Sequence, residues 1–509
     1  MPRSLSEYLS TLFHGAGIIF TGMCLQYTLS FLTRIVLARG LGPRNFGRLS
    51  IGISIVATTT TLVLLGMNTG ISRFLPRMQT VSEKRSIVLS AIQIALPVAL
   101  LSCVGVYLVS GWLATEVFND PSLRGIIRIF AFCIPLFTLL KLTVGGIRGL
   151  EKAVPRVMVE NIAFPGGRLL FTGTALLLGA ATTDVALGYL SAYALGGIAG
   201  LYYLCTQLPL FRGIEKSMHS TLLSFSAPLV ITAAMATVIA DADTFIIAYF
   251  SSSENVGIYN VVYPLAALVS VFLSSFGYLF MPIISELHSA NEFEQISTIY
   301  AVATKWVFLV TTPVIMLFVM FGEDILSLAF GSEYISGTYA FSILTIGFGT
   351  HAIFGPNRDT LTSIGQTRWI MSSNIGIALF NIAVNITLIP QFGIEGAAVA
   401  TAVSYTLLNC LYSYRLYQDT GINPFGRQFT THLLTAILVG VCFIIARYWF
   451  APYSLPGIIT TYVLYLGAYT ITISYVGILN DEEISTLSKF ADESDSRLGQ
   501  MLRKFRLLD

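Results

Sequence analysis

Apolar residues run in blocks of about twenty along most of the chain, separated by short polar or Gly/Pro-containing breaks. A helix of that length rises roughly 30 Å and crosses the hydrocarbon core of a bilayer. The pattern predicts fourteen spans, at 12–37, 49–66, 87–110, 127–147, 160–180, 184–206, 223–250, 256–280, 300–321, 337–354, 369–389, 394–414, 429–447 and 455–479. The block at 337–354 is the weakest. The first block is long and is followed by no A-x-A cleavage site, so it is expected to stay as a first span. An even number of spans puts both termini on one side.

Composition sharpens this. Of 509 residues, 54% are hydrophobic and 11% charged, with a mean hydropathy of +0.74. Soluble domains carry roughly 25% charged residues. A chain this poor in charge cannot clothe a soluble core, which excludes a cytosolic enzyme, a nucleic-acid binder and a disordered scaffold. The net charge of +2 names no partner. Cys24, Cys103, Cys133, Cys205, Cys410 and Cys442 all lie in apolar stretches without a CxxC pair, so they read as small core or lipid-facing residues.

The placement of Lys and Arg predicts orientation. With the amino terminus inside, 20 of the 29 basic residues fall on cytoplasmic segments, 5 on external ones and 4 within spans. Both termini are therefore expected in the cytoplasm, in a multi-pass protein of the cytoplasmic membrane. The external connection between spans 1 and 2 departs from the trend, holding Arg39, Arg44 and Arg48. The tail 481–509 carries seven acids and five bases and reads as an amphipathic surface helix.

A weak internal repeat appears at a shift of 210 residues, which aligns Ala38 with Ala248 and Gly47 with Gly257. Six spans separate the copies, so they share one orientation. The fold class expected is an all-α polytopic membrane protein, with two parallel-repeat six-helix lobes plus two extra carboxyl-terminal helices. The domains are then 1–206 (amino lobe), 207–221 (cytoplasmic linker), 222–421 (carboxyl lobe), 422–480 (spans 13 and 14) and the tail.

An ionisable group within a span costs several kcal/mol unless paired or hydrated, so each marks a candidate site. Arg34 and Arg39, at the external end of span 1, could face an aqueous cavity and hold an anion through their planar forks. Five residues set them about 140° apart, so they share a cavity only if the helix ends or bends near Arg39. Arg168 lies mid-depth in span 5, where snorkelling is difficult; the preceding Pro165-Gly166-Gly167 is expected to break or bend the helix. Lys141 in span 4 is placed to pair with Glu160. Asp241 and Asp243 in span 7 lie about 200° apart and cannot share a cavity. Either could gate the lobes or bind H⁺ or Na⁺. Asn374, Asn381 and Asn385 fall on one helical stripe of span 11, as a sugar-facing set or as interhelical hydrogen bonding. Tyr259 and Tyr263 suit sugar stacking or packing.

Three stretches carry a family resemblance. RIVLARGLGPRNFGRLSI at 34–51, DTFIIAYFSSSENVGIY at 243–259 and NIAVNITLIPQFGIEGAAVATAVS at 381–404 resemble motifs of the polysaccharide transporter (Wzx-type oligosaccharide flippase) family, of the multidrug/oligosaccharidyl-lipid/polysaccharide superfamily. The resemblance implies a two-lobed, V-shaped bundle alternating access around a central cavity, with polyprenyl-linked glycan as cargo. It carries a pyrophosphate-binding role onto Arg34 and Arg39, and it favours Asp243 over Asp241. The expected partners are lipid-linked oligosaccharide, membrane lipid and glycan-assembly enzymes, with the chain a monomer. No cofactor beyond an ion gradient and no catalytic or metal residue is expected.

Two other classes compete. A multidrug exporter would favour an acidic, cation-binding cavity, whereas Arg34, Arg128, Lys141 and Arg168 face only Glu160 in the amino lobe. A membrane glycosyltransferase or polymerase could use Asp241-Ala242-Asp243 as a metal-binding DxD, but it would be expected to carry a structured external domain. HExxH, P-loop, GxSxG and paired CxxC patterns are absent. The five histidines are scattered.

Overall fold

The structure, a computed structural model, describes residues 5–212, 217–422, 427–450 and 455–475, with side chains outside 5–17, 227–240, 274–279, 427–430, 432, 446, 448–450, 455 and 474. The tail 481–509, residues 213–216 of the linker and the last residues of the fourteenth span lie outside the described residues. All described elements are helical. In chain order they are α1 (Leu5–Leu64), α2 (Met67–Phe74), α3 (Val81–Trp112), α4 (Leu123–Gly149), α5 (Ala153–Arg156), α6 (Phe164–Leu177), α7 (Thr182–Gln207) and α8 (His219–Phe250). There follow α9 (Ser253–Ala267), α10 (Val271–Ser289), α11 (Phe293–Met320), α12 (Gly322–Phe330), α13 (Thr338–Phe354) and α14 (Asn357–Ser363). The last are α15 (Thr367–Thr420), α16 (Arg427–Phe450) and α17 (Leu455–Tyr475).

Over its described residues, each expected span lies on these helices to within a few residues at the ends. The protein is a multi-pass membrane protein: eight described stretches are long and apolar enough to cross a bilayer by length and composition. Two of them, of 47 and 54 residues, would rise roughly 70 and 80 Å and so serve two crossings each. Each is interrupted at one glycine, Gly42 (φ 69°) and Gly393 (φ 58°), in a backbone conformation that costs a side chain energy. Pro43 restarts the first helix with a preset φ and no N–H to satisfy. The external loop expected after span 1 is thus a one-residue break. Arg39, Arg44 and Arg48 all stand on helices.

Outward faces carry the larger apolar side chains. On α3, Leu100, Leu101, Val104 and Leu108 are exposed, while Ala95, Ala99, Cys103 and Ser110 are buried. Lipid gives no hydrophobic drive toward the inside, so small residues that let backbones approach collect there. Pro165 does not break its helix. A π-helical segment, Val157–Ala163, links α5 to α6, and Pro165 falls in the first turn of α6, where its missing N–H is tolerated.

The helices form two compact units. One comprises Met1–Ala266, Glu323–Leu344 and Asn374–Ser404; the other comprises Ala267–Gly322, Thr345–Ser373 and Tyr405–Asp509. This grouping cuts across the repeat: α8 and α9 pack with the amino-terminal helices. In the second unit, Tyr462 and Tyr469 of α17 donate to the carbonyls of Pro313 and Leu309 on α11, which docks the last span.

The repeat itself is visible in the first unit. A Cβ on Gly47 would stand 1.6 Å from the carbonyl oxygen of Ser253, and a Cβ on Gly257 would stand 1.9 Å from that of Pro43. The 210-residue shift relates Gly47 to Gly257 and also Pro43 to Ser253. The contact is therefore reciprocal, as a two-fold relation between copies requires.

Candidate functional site

Arg34 and Arg168 lie within electrostatic reach of each other inside the first unit. Both are half-buried, Arg168 acts electrostatically on Arg34, and both act on the buried Tyr189. No carboxylate pairs with either among the described residues, and the buried Nε of Arg168 has no hydrogen-bond partner. Arg168 lies 5.5 Å from the ring centre of Phe164 and 5.9 Å from that of Tyr189. Phe164 stacks on Tyr193 at 4.9 Å, and Tyr193 meets Phe137 at 4.8 Å. Lys141 lies 5.3 Å from the ring of Phe137 and 3.7 Å from Glu160, the partner expected for it. Glu160 also accepts from Arg156 Nε at 3.2 Å. This cluster is basic and aromatic: among the described residues Glu160 is the one carboxylate beside Arg34, Lys141, Arg156 and Arg168.

Arg39 is not part of this group. Its guanidinium is exposed and donates to the carbonyl of Leu328 at 2.7 Å. The helix does break nearby, at Gly42, but beyond Arg39, so the angular separation from Arg34 persists. Arg128 is also engaged elsewhere, donating to Ser110 and lying 4.9 Å from the Tyr107 ring.

The two aspartates diverge as their spacing requires. Asp241 accepts from Ser54 at 2.8 Å and from Thr58 at 3.3 Å, hydroxyls of α1 rather than an arginine. Asp243 is buried and accepts from Tyr259 at 2.6 Å, Asn385 at 2.7 Å and Thr401 at 2.9 Å. These donors come from α9 and from both sides of the Gly393 break in α15. The Asn385 amide also donates to Asn381 at 2.9 Å, and its buried Oδ1 has no hydrogen-bond partner. The expected asparagine stripe therefore divides. Asn381 and Asn385 are buried and hydrogen-bonded to each other beside Asp243, whereas Asn374 is exposed. Tyr259 is buried and committed to Asp243, so it is no stacking platform.

A further ion pair stands at the Gly42 end of this unit. Arg48 grips Asp120 bidentately, at 2.7 and 2.9 Å, and Ser253 donates to the same carboxylate at 2.7 Å. Burial alone would raise the Asp120 pKa, but the bonds from Arg48, Ser253 and the Ser122 amide outweigh it and hold the carboxyl below its ordinary value. A depressed folded pKa gives stability that is present above the unfolded value of about 3.9 and is lost as pH falls through the folded one. Asp120→Asn should therefore lower the melting temperature in detergent at pH 7, and that deficit should shrink as the pH falls below about 3.9. A deficit that stays constant down the acid limb would dismiss the ion pair as its source.

Comparison with known proteins decides the family. A profile described as "Polysaccharide biosynthesis protein" matches residues 12–288. The chain belongs to the polysaccharide biosynthesis protein family. A MatE profile also matches residues 228–387 of this family member, the region that contains Asp243, Tyr259, Asn381 and Asn385. A probable low-salt glycan biosynthesis flippase of Haloferax volcanii is 28% identical over 177 residues, 34% of this chain and 37% of that protein. A putative O-antigen transporter of Shigella flexneri is 21% identical over 394 residues, 75% of this chain and 91% of that one. The match spans less than two fifths of the length of the first two curated relatives. In fold, this family member resembles an inward closed structure of the lipid II flippase MurJ, with a TM-score of 0.70 at 12% identity over 90% of this chain and 98% of that one. The all-α fold is thereby shown.

Arg48, Asp120, Thr401 and Arg156 escaped the sequence reading of this family member. Arg48 and Asp120 looked like loop charges, and their 72-residue separation hid the pairing. Thr401 does lie in the quoted 381–404 motif, 16 residues beyond Asn385, where a turn-back at Gly393 could bring it alongside.

Proposed function

We propose that the protein is a flippase moving polyprenyl-(pyro)phosphate-linked oligosaccharide across the cytoplasmic membrane by alternating access. The observation that carries this is the pair Arg34 and Arg168, two half-buried guanidiniums without a carboxylate, beside an aromatic cluster. Uncompensated cations in a low-dielectric interior call for an anion, and the guanidinium fork fits phosphate oxygens. Family membership and relatives named as flippases and an O-antigen transporter support the same cargo class. In this reading both termini lie in the cytoplasm, the Gly42 end faces outward, the chain works as a monomer, and glycan-assembly enzymes supply and consume the cargo.

The Asp243 network is the proposed coupling site for H⁺ or Na⁺. Its chemistry fits a small cation, since the buried carboxylate sits beside the unpaired carbonyl oxygen of Asn385. The test is translocation of a fluorescent lipid-linked glycan in proteoliposomes without nucleotide. Wild type should translocate it. Arg34→Ala and Arg168→Ala should each fall at least about tenfold, the equivalent of one charge-assisted hydrogen bond. Undiminished rates in both variants would remove the phosphate role, and an ATP requirement of the pure protein would remove the class.

A further inference from the structure

Arg34 and Arg168 are only one of two cationic levels in this interior. Four contacts put α1 in parallel register with the helix that begins at Ala153. Val157 packs on Gly22, Asn161 donates to Gln26 at 2.5 Å, Arg168 shares its field with Arg34, and Leu176 packs on Gly40. The sequence offset stays within one residue of 135 throughout. Eight residues separate Gln26 from Arg34 and Glu160 from Arg168, so both helices place the levels about 12 Å apart.

The lower level, nearer the start of α1, has its own composition. Lys141 and Arg156 converge on Glu160, with side-chain exposures of 35%, 28% and 24%, so none of the three is sealed off by protein. Arg156 uses only Nε on Glu160, which leaves its terminal nitrogens clear of other side chains among the described residues. Glu160 and its neighbours stand on the π-helical segment Val157–Ala163, a geometry found often at functional sites. Between the levels runs the aromatic series Phe137, Tyr193 and Phe164, with Lys141 against its first ring and Arg168 against its last.

We propose that Lys141 and Arg156 form a second anion station, where Glu160 is the resident anion that an incoming phosphate group displaces before passing to Arg34 and Arg168. This rests on the anion-binding reading of that upper pair. Two bare cations would be costly in the empty protein, and together they would trap a diphosphate. A carboxylate already in place offsets the first cost and weakens the capture, because binding becomes the exchange of one anion for another. The upper pair has no such competitor, so the phosphate gains by moving on.

Binding of farnesyl diphosphate to the purified full-length protein, measured by titration calorimetry, tests this. Glu160→Gln removes the competitor with little change of shape. It should tighten binding about tenfold, the worth of one charge-assisted hydrogen bond, and slow translocation in proteoliposomes. Lys141→Gln on top of Glu160→Gln should reverse the tightening. Unchanged or weaker binding in Glu160→Gln, or no reversal, overturns the second station; a purely structural ion pair would lower thermal stability and leave affinity alone. Should Glu160→Gln fail to fold, Glu160→Asp draws the carboxylate back and should tighten binding to a smaller degree. Inorganic pyrophosphate and farnesol run in parallel. Tightening with pyrophosphate shows that the bare anion suffices, tightening with farnesyl diphosphate alone assigns the station to a lipid headgroup, and tightening with farnesol overturns the phosphate assignment. Arg168→Ala separates the two readings. If it lowers translocation at least about tenfold while Glu160→Gln leaves affinity unchanged, only the second station fails; if the rates of Arg168→Ala and Arg34→Ala are both undiminished, the upper-pair reading fails.

Discussion

Gly47→Ala should destabilise the protein more than any other single methyl addition along α1. The added carbon would stand 1.6 Å from the Ser253 carbonyl oxygen and 2.8 Å from the Gly257 nitrogen, both backbone atoms that cannot rotate away. Ordinary carbon–oxygen contacts begin near about 3.3 Å, so α1 and α9 must separate by nearly 2 Å. Overpacking against flexible side chains costs about 1–3 kcal/mol, and backbone on both sides puts this case at the upper end or above. Separation would also draw Ser253 away from Asp120 and loosen the Arg48 pair. Gly257→Ala should act alike, because its Cβ meets the Pro43 carbonyl at 1.9 Å. Gly105 and Gly173, with no atom within 4 Å of an added Cβ, are the controls and should tolerate alanine. Melting temperature and amide exchange over 43–47 and 253–257 read the outcome. A Gly47→Ala protein matching the controls in both would refute the tight crossing.

That crossing also shows how far the sequence could be read. The 210-residue shift rested on few identities, yet two pairs it relates, Gly47 with Gly257 and Pro43 with Ser253, meet at one crossing. The spans were legible because the bilayer demands long apolar helices, a local signal. Lys141 with Glu160 was legible because both were charges at one expected depth. The Arg48–Asp120 pair was not, since charge at a helix end looks the same whether solvated or paired. Nor was the π-helical segment under Glu160, where Pro165-Gly166-Gly167 suggested a break. Local propensity speaks to whether a helix can continue, while its register is set by neighbours such as Gly22 and Gln26. Of the asparagine stripe, Asn381 and Asn385 come together while Asn374 is exposed, because periodicity places residues on a face but cannot say which part of that face meets a buried carboxylate.

Asp243→Asn is the second change expected to have a large effect, on transport and on stability together. The native carboxylate accepts three hydrogen bonds from α9 and the two halves of α15, and the Tyr259 hydroxyl also reaches Thr401 at 3.3 Å. An amide at this position keeps the shape but offers one oxygen and two hydrogens to neighbours that are themselves donors. At least one buried donor then loses its acceptor, at about 1–3 kcal/mol, and Asp243→Ala, which strands all three, should cost about 3–5 kcal/mol. If the network is also where a cation binds, stability should depend on that cation. A ligand at a hundred times its dissociation constant adds about 2.7 kcal/mol to the folded state. Wild type in detergent should therefore melt several degrees higher in sodium than in choline if the ion is Na⁺, and show no such difference if it is H⁺. In proteoliposomes the wild-type rate should follow the imposed gradient of the same ion. Asp243→Asn should flatten both dependences and lower the rate at least tenfold, the loss expected when a charge-assisted contact is removed. Asn385→Ala removes the unpaired oxygen and one donor while keeping the charge, so it should weaken the ion dependence without abolishing it. An Asp243→Asn protein that translocates at the wild-type rate, still driven by the gradient, would leave the network a structural tie between α8, α9 and α15.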